Sequence, residues 1–223
     1  AALATGGFCA FLALYPAAAG WAAARWTMPG SWQRAVAAAA AWTLAEWARS
    51  VVFTGFPWLS LGYAALGETA RYPLAGYAPV GGAFLVTLAI AAVAAALALF
   101  VDALAAAART RAAFLLAAIA VVFAGGAALA RVEWTVPSGT PVAVSLVQGN
   151  VTQDLKFDPD FRRTTFDLYL RLVGASRGRL VVLPESAFPV FADEVPDSVL
   201  RRLQEVVAAR DGDALVGMFT VEP

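Results

Sequence analysis

Leu180, Val181, Val182 and Leu183, followed by Pro184, Glu185, Ser186, Ala187, Phe188 and Pro189, make up the stretch whose reading decides the fold of the C-terminal part of this chain. A short apolar run rich in β-branched residues and stopped by proline reads as a buried strand. Glu185 is the first charged residue after it. In α/β sheets, reacting groups collect where strands end at their carboxyl edge. A carboxylate there is expected to be poorly solvated yet reachable from the sheet mouth, which suits a general base. A structural acid capping the next turn is the alternative for the same position.

The pattern around this run repeats. Val142 to Val147 reads as a strand and Gln148, Gly149 and Asn150 as a turn. Residues 159 to 174 read as a helix with Phe161, Thr165, Leu168, Leu172 and Val173 inward. Pro196 to Arg210 reads as a second helix with Val199, Leu203, Val206 and Val207 inward, and Ala214 to Phe219 as a third strand. Strand, helix, strand, helix, strand is the opening of an α/β domain with neighbouring parallel strands. We assign it to residues 131 to 223.

Upstream the composition changes. The whole chain is 61% hydrophobic, with a mean hydropathy of +0.69, above the soluble globular range. Of its 16 basic and 16 acidic residues, only Arg25, Arg34, Glu46, Arg49, Glu68, Arg71, Asp102, Arg109 and Arg111 lie before residue 131. Residues 3 to 24, 35 to 54, 80 to 101 and 112 to 130 are each close to the ~20 apolar residues that a bilayer requires, so residues 1 to 130 read as a multi-pass membrane region of four helices. An alanine-rich soluble bundle would have a similar composition. Cytoplasmic loops are enriched in Lys and Arg. Arg25 and Arg34 on the first link, and Arg109 and Arg111 beside Asp102 on the third, put residues 55 to 79 and everything after 130 on the opposite, periplasmic face. Net charge is zero and there is no basic stripe, which argues against a nucleic-acid partner.

The outward link contains Gly55, Phe56, Pro57, Trp58, Leu59, Ser60, Leu61, Gly62 and Tyr63, then Tyr72, Pro73, Tyr77 and Pro79. Its Gly and Pro residues break helices, and Trp and Tyr favour the headgroup level. It reads either as an aromatic anchor or as a lipid-facing rim that admits an acyl chain. Glu46 lies inside the second segment, three residues before Arg49, where the two could pair on one face; binding a phospholipid headgroup is the other reading. Cys9 reads as a small buried hydrophobe. The chain begins without Met and stops at Val221, Glu222 and Pro223, so both ends are expected to be cuts.

Val147, Gln148, Gly149 and Asn150, followed by Leu183, Pro184, Glu185, Ser186 and Ala187, resemble the start of a carbon–nitrogen hydrolase (nitrilase) domain. Joined to membrane helices carrying the Gly55 to Tyr63 loop, they resemble the apolipoprotein N-acyltransferase family, in order and over nearly the whole chain. The resemblance implies an αββα sandwich truncated here after its N-terminal part, in a bacterial inner-membrane protein. It also implies a Glu, Lys, Cys triad that moves an acyl chain from a phospholipid, through a Cys thioester, to the terminal amine of a diacylglyceryl-cysteine apolipoprotein. The family's Glu falls on Glu185. Lys156, the only lysine, and Cys9, the only cysteine, are in the wrong places for the other two, which are expected outside these residues; the piece alone is expected to be inactive. Trp58, Tyr63, Gln148, Lys156 and Phe157 are candidate substrate-binding residues, with Lys156 and Phe157 lining a lipid pocket or forming a plain surface turn.

No cofactor or metal is expected. With no His, a Ser-His-Asp triad and most catalytic zinc sites are unavailable, and there is no G-x-S-x-G elbow, Walker loop or G-x-G-x-x-G. Two rivals share the hydropathy: a transporter or scaffold with a periplasmic domain, which needs no acid at a strand edge, and a membrane-anchored amidase acting on a small substrate.

Overall fold

Long runs of Ala and Leu cost little in a helix, and the alanine-rich segments fold accordingly. The computed structural model describes residues 2–65 and 72–220; Glu68, Arg71, Val221, Glu222 and Pro223 lie outside the described residues. The chain separates into two units, Ala1–Val136 and Pro137–Pro223.

In the first unit, α1 (Ala2–Trp26), α2 (Trp32–Val51), α3 (Ala78–Ala105) and α4 (Arg109–Leu129) fall on the four expected segments. By length and composition, α1, the stretch Pro73–Ala105 and α4 are apolar enough to cross a membrane. α2 has the length but carries Gln33, Arg34, Glu46 and Arg49. Large apolar side chains point outward, with Leu14, Val101, Phe114 and Val121 all exposed, an arrangement that fits a membrane protein and would be costly against water.

Each helix packs on the next. The closest approach uses small residues: a Cβ on Gly76 would collide with the Gly126 carbonyl, and one on Gly126 with the Pro73 carbonyl, as expected where helices associate by backbone proximity. The two basic links meet at one end. Arg34 donates to the carbonyls of Ala24 and Thr27 at 3.0 and 2.6 Å, and Arg111 donates to the Gly30 carbonyl at 2.6 Å. At the other end, Gly and Pro break the helices as expected, leaving short 3-10 turns at Val52–Thr54, Leu61–Ala65 and Pro73–Tyr77.

The second unit is built on parallel pairing. β1 (Val144–Leu146), β2 (Leu180–Val182) and β4 (Asp213–Leu215) form a sheet in the order β1-β2-β4, with Ser145 opposite Val181 and Val181 opposite Ala214. The helices between them are α5 (Gln153–Lys156), α6 (Arg162–Ala175) and α7 (Asp197–Ala208). The expected third strand is broken at Val216 and Gly217, and its second half, β5 (Met218–Phe219), pairs in parallel with β3 (Phe188–Phe191). β3 is not among the strands expected from the sequence. The core joins Val181, Leu183, Phe188 and Val190 to Phe166, Tyr169 and Val173 of α6 and to Leu203 and Val207 of α7. The inward stripe of α6 is therefore corrected: Thr165, Phe166, Tyr169 and Val173 are buried, while Phe161 is 39% exposed. The first turn is 3-10 over Pro159–Phe161, which rotates Phe161 off the face that the α-helical spacing assigns it.

Candidate active site

β1 and β2 run in parallel, so the turns after them emerge at the same edge. After β1, Val147 donates to the Val182 carbonyl at 2.9 Å, and Gln148, Gly149 and Asn150 turn away. After β2, Leu183 donates to the Leu215 carbonyl at 2.9 Å. Pro184 to Ala187 then closes as a turn, with Ala187 donating to the Pro184 carbonyl at 3.1 Å, before Phe188 enters the second pair of strands. Glu185 sits at the corner of that turn. The two segments, 35 residues apart in sequence, form the walls of a cleft of about 190 Å³.

Gln148, Lys156 and Glu185 line this cleft together, as do Gln153, Thr165 and Tyr169. Lys156 reaches it from α5, donating from Nζ to the Glu185 carbonyl at 3.4 Å while lying 5.8 Å from the centre of the Phe157 ring. Phe157 is outside the lining and 51% exposed. The expectation of a poorly solvated Glu185 is corrected: the residue is exposed, because the strand ends three residues earlier at Val182 and Glu185 lies on the turn that follows, at the rim of the cleft. Two of the described left-handed non-glycine residues lie at the cleft, the others being Phe53, Thr54, Leu59, Ala107 and Asp211. Asn150 (φ 50°) and Ser186 (φ 52°) are both left-handed, a conformation that costs a non-glycine residue of order 1 kcal/mol and is common at functional sites.

Two supporting residues escaped the sequence reading. Tyr169 is 4% exposed and lies under Gly149, where a Cβ would come within 2.6 Å of its Cζ and 2.7 Å of its hydroxyl. The only signal was the polar pair Thr165 and Tyr169, one turn apart on an otherwise apolar face. Gly217 is the second: a Cβ there would meet the Pro184 carbonyl oxygen at 2.7 Å, the Ser186 nitrogen at 2.8 Å and the Glu185 Cα at 2.9 Å.

Burial pushes the Tyr169 phenol above its ordinary pKa of 10.0, and a hydrogen bond with the Gly149 backbone opposes this in part. Tyr169 therefore contributes stability in full below pH 10, and that contribution is lost as the pH rises through the higher folded-state value. Tyr169→Phe is expected to flatten the alkaline fall in melting temperature, measured on the full-length protein by circular dichroism. An unchanged alkaline limb would show that the phenol does not titrate with unfolding.

Trp58 and Tyr63 belong to the first unit, five residues apart in the connection between α2 and α3, and are 68% and 57% exposed. Phe56 meets Phe8 edge to face and Trp58 at a tilt, with centroids 5.1 and 6.4 Å away. The expected Glu46–Arg49 pair is not formed. Glu46 turns inward, 6% exposed, and accepts from Trp42 Nε1, Leu61 N and Thr87 Oγ1 at 3.2, 2.9 and 2.9 Å; Arg49 donates instead to the Trp58 carbonyl. Among the described residues the ion pairs are Arg179–Asp211 and Arg202–Glu205, and no cluster of His, Cys, Asp and Glu is able to hold a metal.

Residues 1–96 match the family model of the apolipoprotein N-acyltransferase N-terminal domain. Similarity to whole proteins continues through the second unit. The chain is 41% identical over 210 residues to an apolipoprotein N-acyltransferase of Nitrosomonas europaea, covering 94% of this chain and 40% of that protein. It is 42% identical over 206 residues to one of Chromobacterium violaceum, covering 92% of this chain and 38% of that protein. A third, from Methylococcus capsulatus, is 38% identical over 213 residues, covering 95% and 41%. The chain spans about two-fifths of the length of these relatives. The chain thus resembles apolipoprotein N-acyltransferases over nearly its whole length, at its membrane helices through the family model and on through the Glu185 cleft through these relatives.

Proposed function

We propose that these residues are the membrane region and the base-bearing part of a nitrilase-type N-acyltransferase of the bacterial inner membrane. In this reading α2 is a fourth span, the Arg34 and Arg111 end is cytoplasmic, and the second unit faces the periplasm. Glu185 takes the proton of a cysteine thiol, and the thiolate attacks the ester carbonyl of a phospholipid. A lysine stabilises the oxyanion of the tetrahedral intermediate. The lysophospholipid alkoxide leaves with the proton that Glu185 returns, and the acyl chain remains as a thioester. In the second half-reaction Glu185 receives a proton from the amine of a diacylglyceryl-cysteine apolipoprotein, the amide forms and the thiolate departs.

The observation that carries this reading is the convergence of the Gln148–Asn150 and Pro184–Ala187 turns, both strained, on one cleft with Glu185 at its rim. Lys156 and Cys9 are not the other two triad members. Lys156 makes one long hydrogen bond to the Glu185 carbonyl and is assigned here to the cleft wall, and Cys9 lies on α1, exposed rather than buried as its apolar setting suggests. Gln148 and Lys156 flank the reacting centre. A cleft of about 190 Å³ is below the several hundred Å³ usual for a ligand pocket, so the acyl chain needs further surface, for which the exposed Phe157 is a candidate within the same unit.

The test is transfer by the full-length protein from a phospholipid to a diacylglyceryl-cysteine peptide, followed by mass spectrometry. N-acylation through a hydroxylamine-sensitive enzyme intermediate is expected, and none from residues 1–223 alone. Hydrolysis of a small amide without acyl transfer would overturn the reading in favour of a membrane-anchored amidase. Transfer by the 223-residue piece would show that its nucleophile has been misplaced.

A further inference from the structure

Glu46 is the one charged side chain among the buried residues described, and the proposed reaction does not use it. Its carboxylate sits on α2, where a charge is costly unless its hydrogen bonds are satisfied. Oε1 accepts from the backbone nitrogen of Leu61 at 2.9 Å and from Trp42 Nε1 at 3.2 Å. Oε2 accepts from Thr87 Oγ1 of α3 at 2.9 Å, and that hydroxyl oxygen in turn accepts from the backbone nitrogen of Gly62 at 2.8 Å. Two successive loop amides are thus held by one carboxylate and one hydroxyl on two different helices. Gly62 has no room for a side chain, since a Cβ would collide with the Ala83 carbonyl. The upstream part of the loop is tied as well: Phe56 donates to the Arg49 carbonyl at 2.7 Å, and Arg49 donates to the carbonyl of Trp58. Between these anchors Leu59 is left-handed (φ 57°) and 93% exposed.

We propose that Glu46, acting with Thr87, is a positioning residue that fixes the Gly55 to Tyr63 loop so that Trp58, Leu59 and Tyr63 stay presented outward for the acyl donor. The inference rests on the N-acyltransferase reading for its consequence in catalysis, and on geometry alone for the clamp. Both carboxylate oxygens of Glu46 are engaged by α2, the loop and α3, which favours the clamp over the headgroup reading. The clamp needs acceptors and does not need the charge. In Glu46→Gln the amide oxygen still receives Leu61 and Trp42, and the amide nitrogen donates to the free lone pair of the Thr87 oxygen. Glu46→Leu takes the acceptor from three donors, Trp42 Nε1, Leu61 N and Thr87 Oγ1, the last of them buried. Thr87→Val removes the partner of Gly62 and spares that of Leu61.

The experiment is residue-resolved amide hydrogen exchange on the full-length protein in lipid nanodiscs, with the KM for phospholipid measured on the same samples. Glu46→Leu is expected to speed exchange at Leu61 by about fivefold, the loss of one hydrogen bond, and to raise the KM for the donor more than it lowers kcat. Thr87→Val is expected to do so at Gly62 and not at Leu61. Glu46→Gln is expected to lie near wild type in both readouts, and Glu185→Gln to leave exchange in the loop unchanged. Unchanged protection in Glu46→Leu and Thr87→Val would overturn the clamp, and a Glu46→Gln as impaired as Glu46→Leu would show that charge is what matters. Faster exchange with an unaltered KM would overturn the positioning role. If wild-type protein transfers no acyl chain at all, the functional reading fails while the exchange data still judge the clamp.

Discussion

Glu185→Gln in the full-length protein is expected to reduce acyl-thioester formation by about 10²- to 10⁴-fold, the usual worth of a positioned general base, with membrane insertion intact. Glutamine keeps the size of the side chain and removes only its capacity to take a proton. The fold does not depend on that capacity. The turn is closed by Ala187 donating to the Pro184 carbonyl and is braced by Lys156 on the Glu185 carbonyl, contacts made by backbone atoms of residue 185 or by its neighbours. The side chain itself is exposed, so the substitution buries no new polar group. Hydroxylamine-sensitive acylation of the enzyme, measured in single turnover, separates this step from amine transfer. A thioester formed at the wild-type rate would remove Glu185 from the mechanism and leave it as an acid on a turn.

What the sequence made legible, and what it hid, follows the range of the forces involved. β2 and the turn after it were readable because a β-branched run stopped by proline is a local signal. The same holds for the four helices of the first unit, of which three are long and apolar enough to cross a bilayer. β3 was hidden because the strand exists through pairing with β5, formed 30 residues later. Glu46 shows the same limit more sharply. The nearest opposite charge along the helix is Arg49, but donors at Leu61 and Thr87, 15 and 41 residues away, take both oxygens. Local spacing names a partner, and tertiary packing chooses another. The exposure of Glu185 was misjudged for a related reason: the sequence locates the end of a strand but not how far the following turn projects. Gly217 had no signal at all, since its importance lies in a contact with Pro184, Glu185 and Ser186 rather than in any motif.

That contact supports the second large prediction. Gly217→Ala is expected to slow thioester formation by roughly 10²-fold, the scale of an ångström-sized misplacement of a catalytic group, while the full-length protein still inserts and folds. An alanine Cβ would approach the Pro184 carbonyl oxygen, the Ser186 nitrogen and the Glu185 Cα at 2.7 to 2.9 Å. All three are atoms of the main chain, so no side-chain rotation relieves the clash. Phe188 also donates to the Gly217 carbonyl at 3.2 Å, which keeps the two segments together and directs the displacement into the turn. That turn already holds Ser186 at φ 52° and has little tolerance for further distortion. Gly174 on α6 provides the control. A Cβ there meets nothing within 4 Å, so Gly174→Ala is expected to stabilise the unit by about 0.5–1 kcal/mol and to leave the rate of acylation alone. Thioester formation at the wild-type rate in Gly217→Ala would mean that the position of the Glu185 turn is not set by this approach. A loss in Gly174→Ala of the same size as in Gly217→Ala would mean that the assay reports general stability rather than the placement of Glu185.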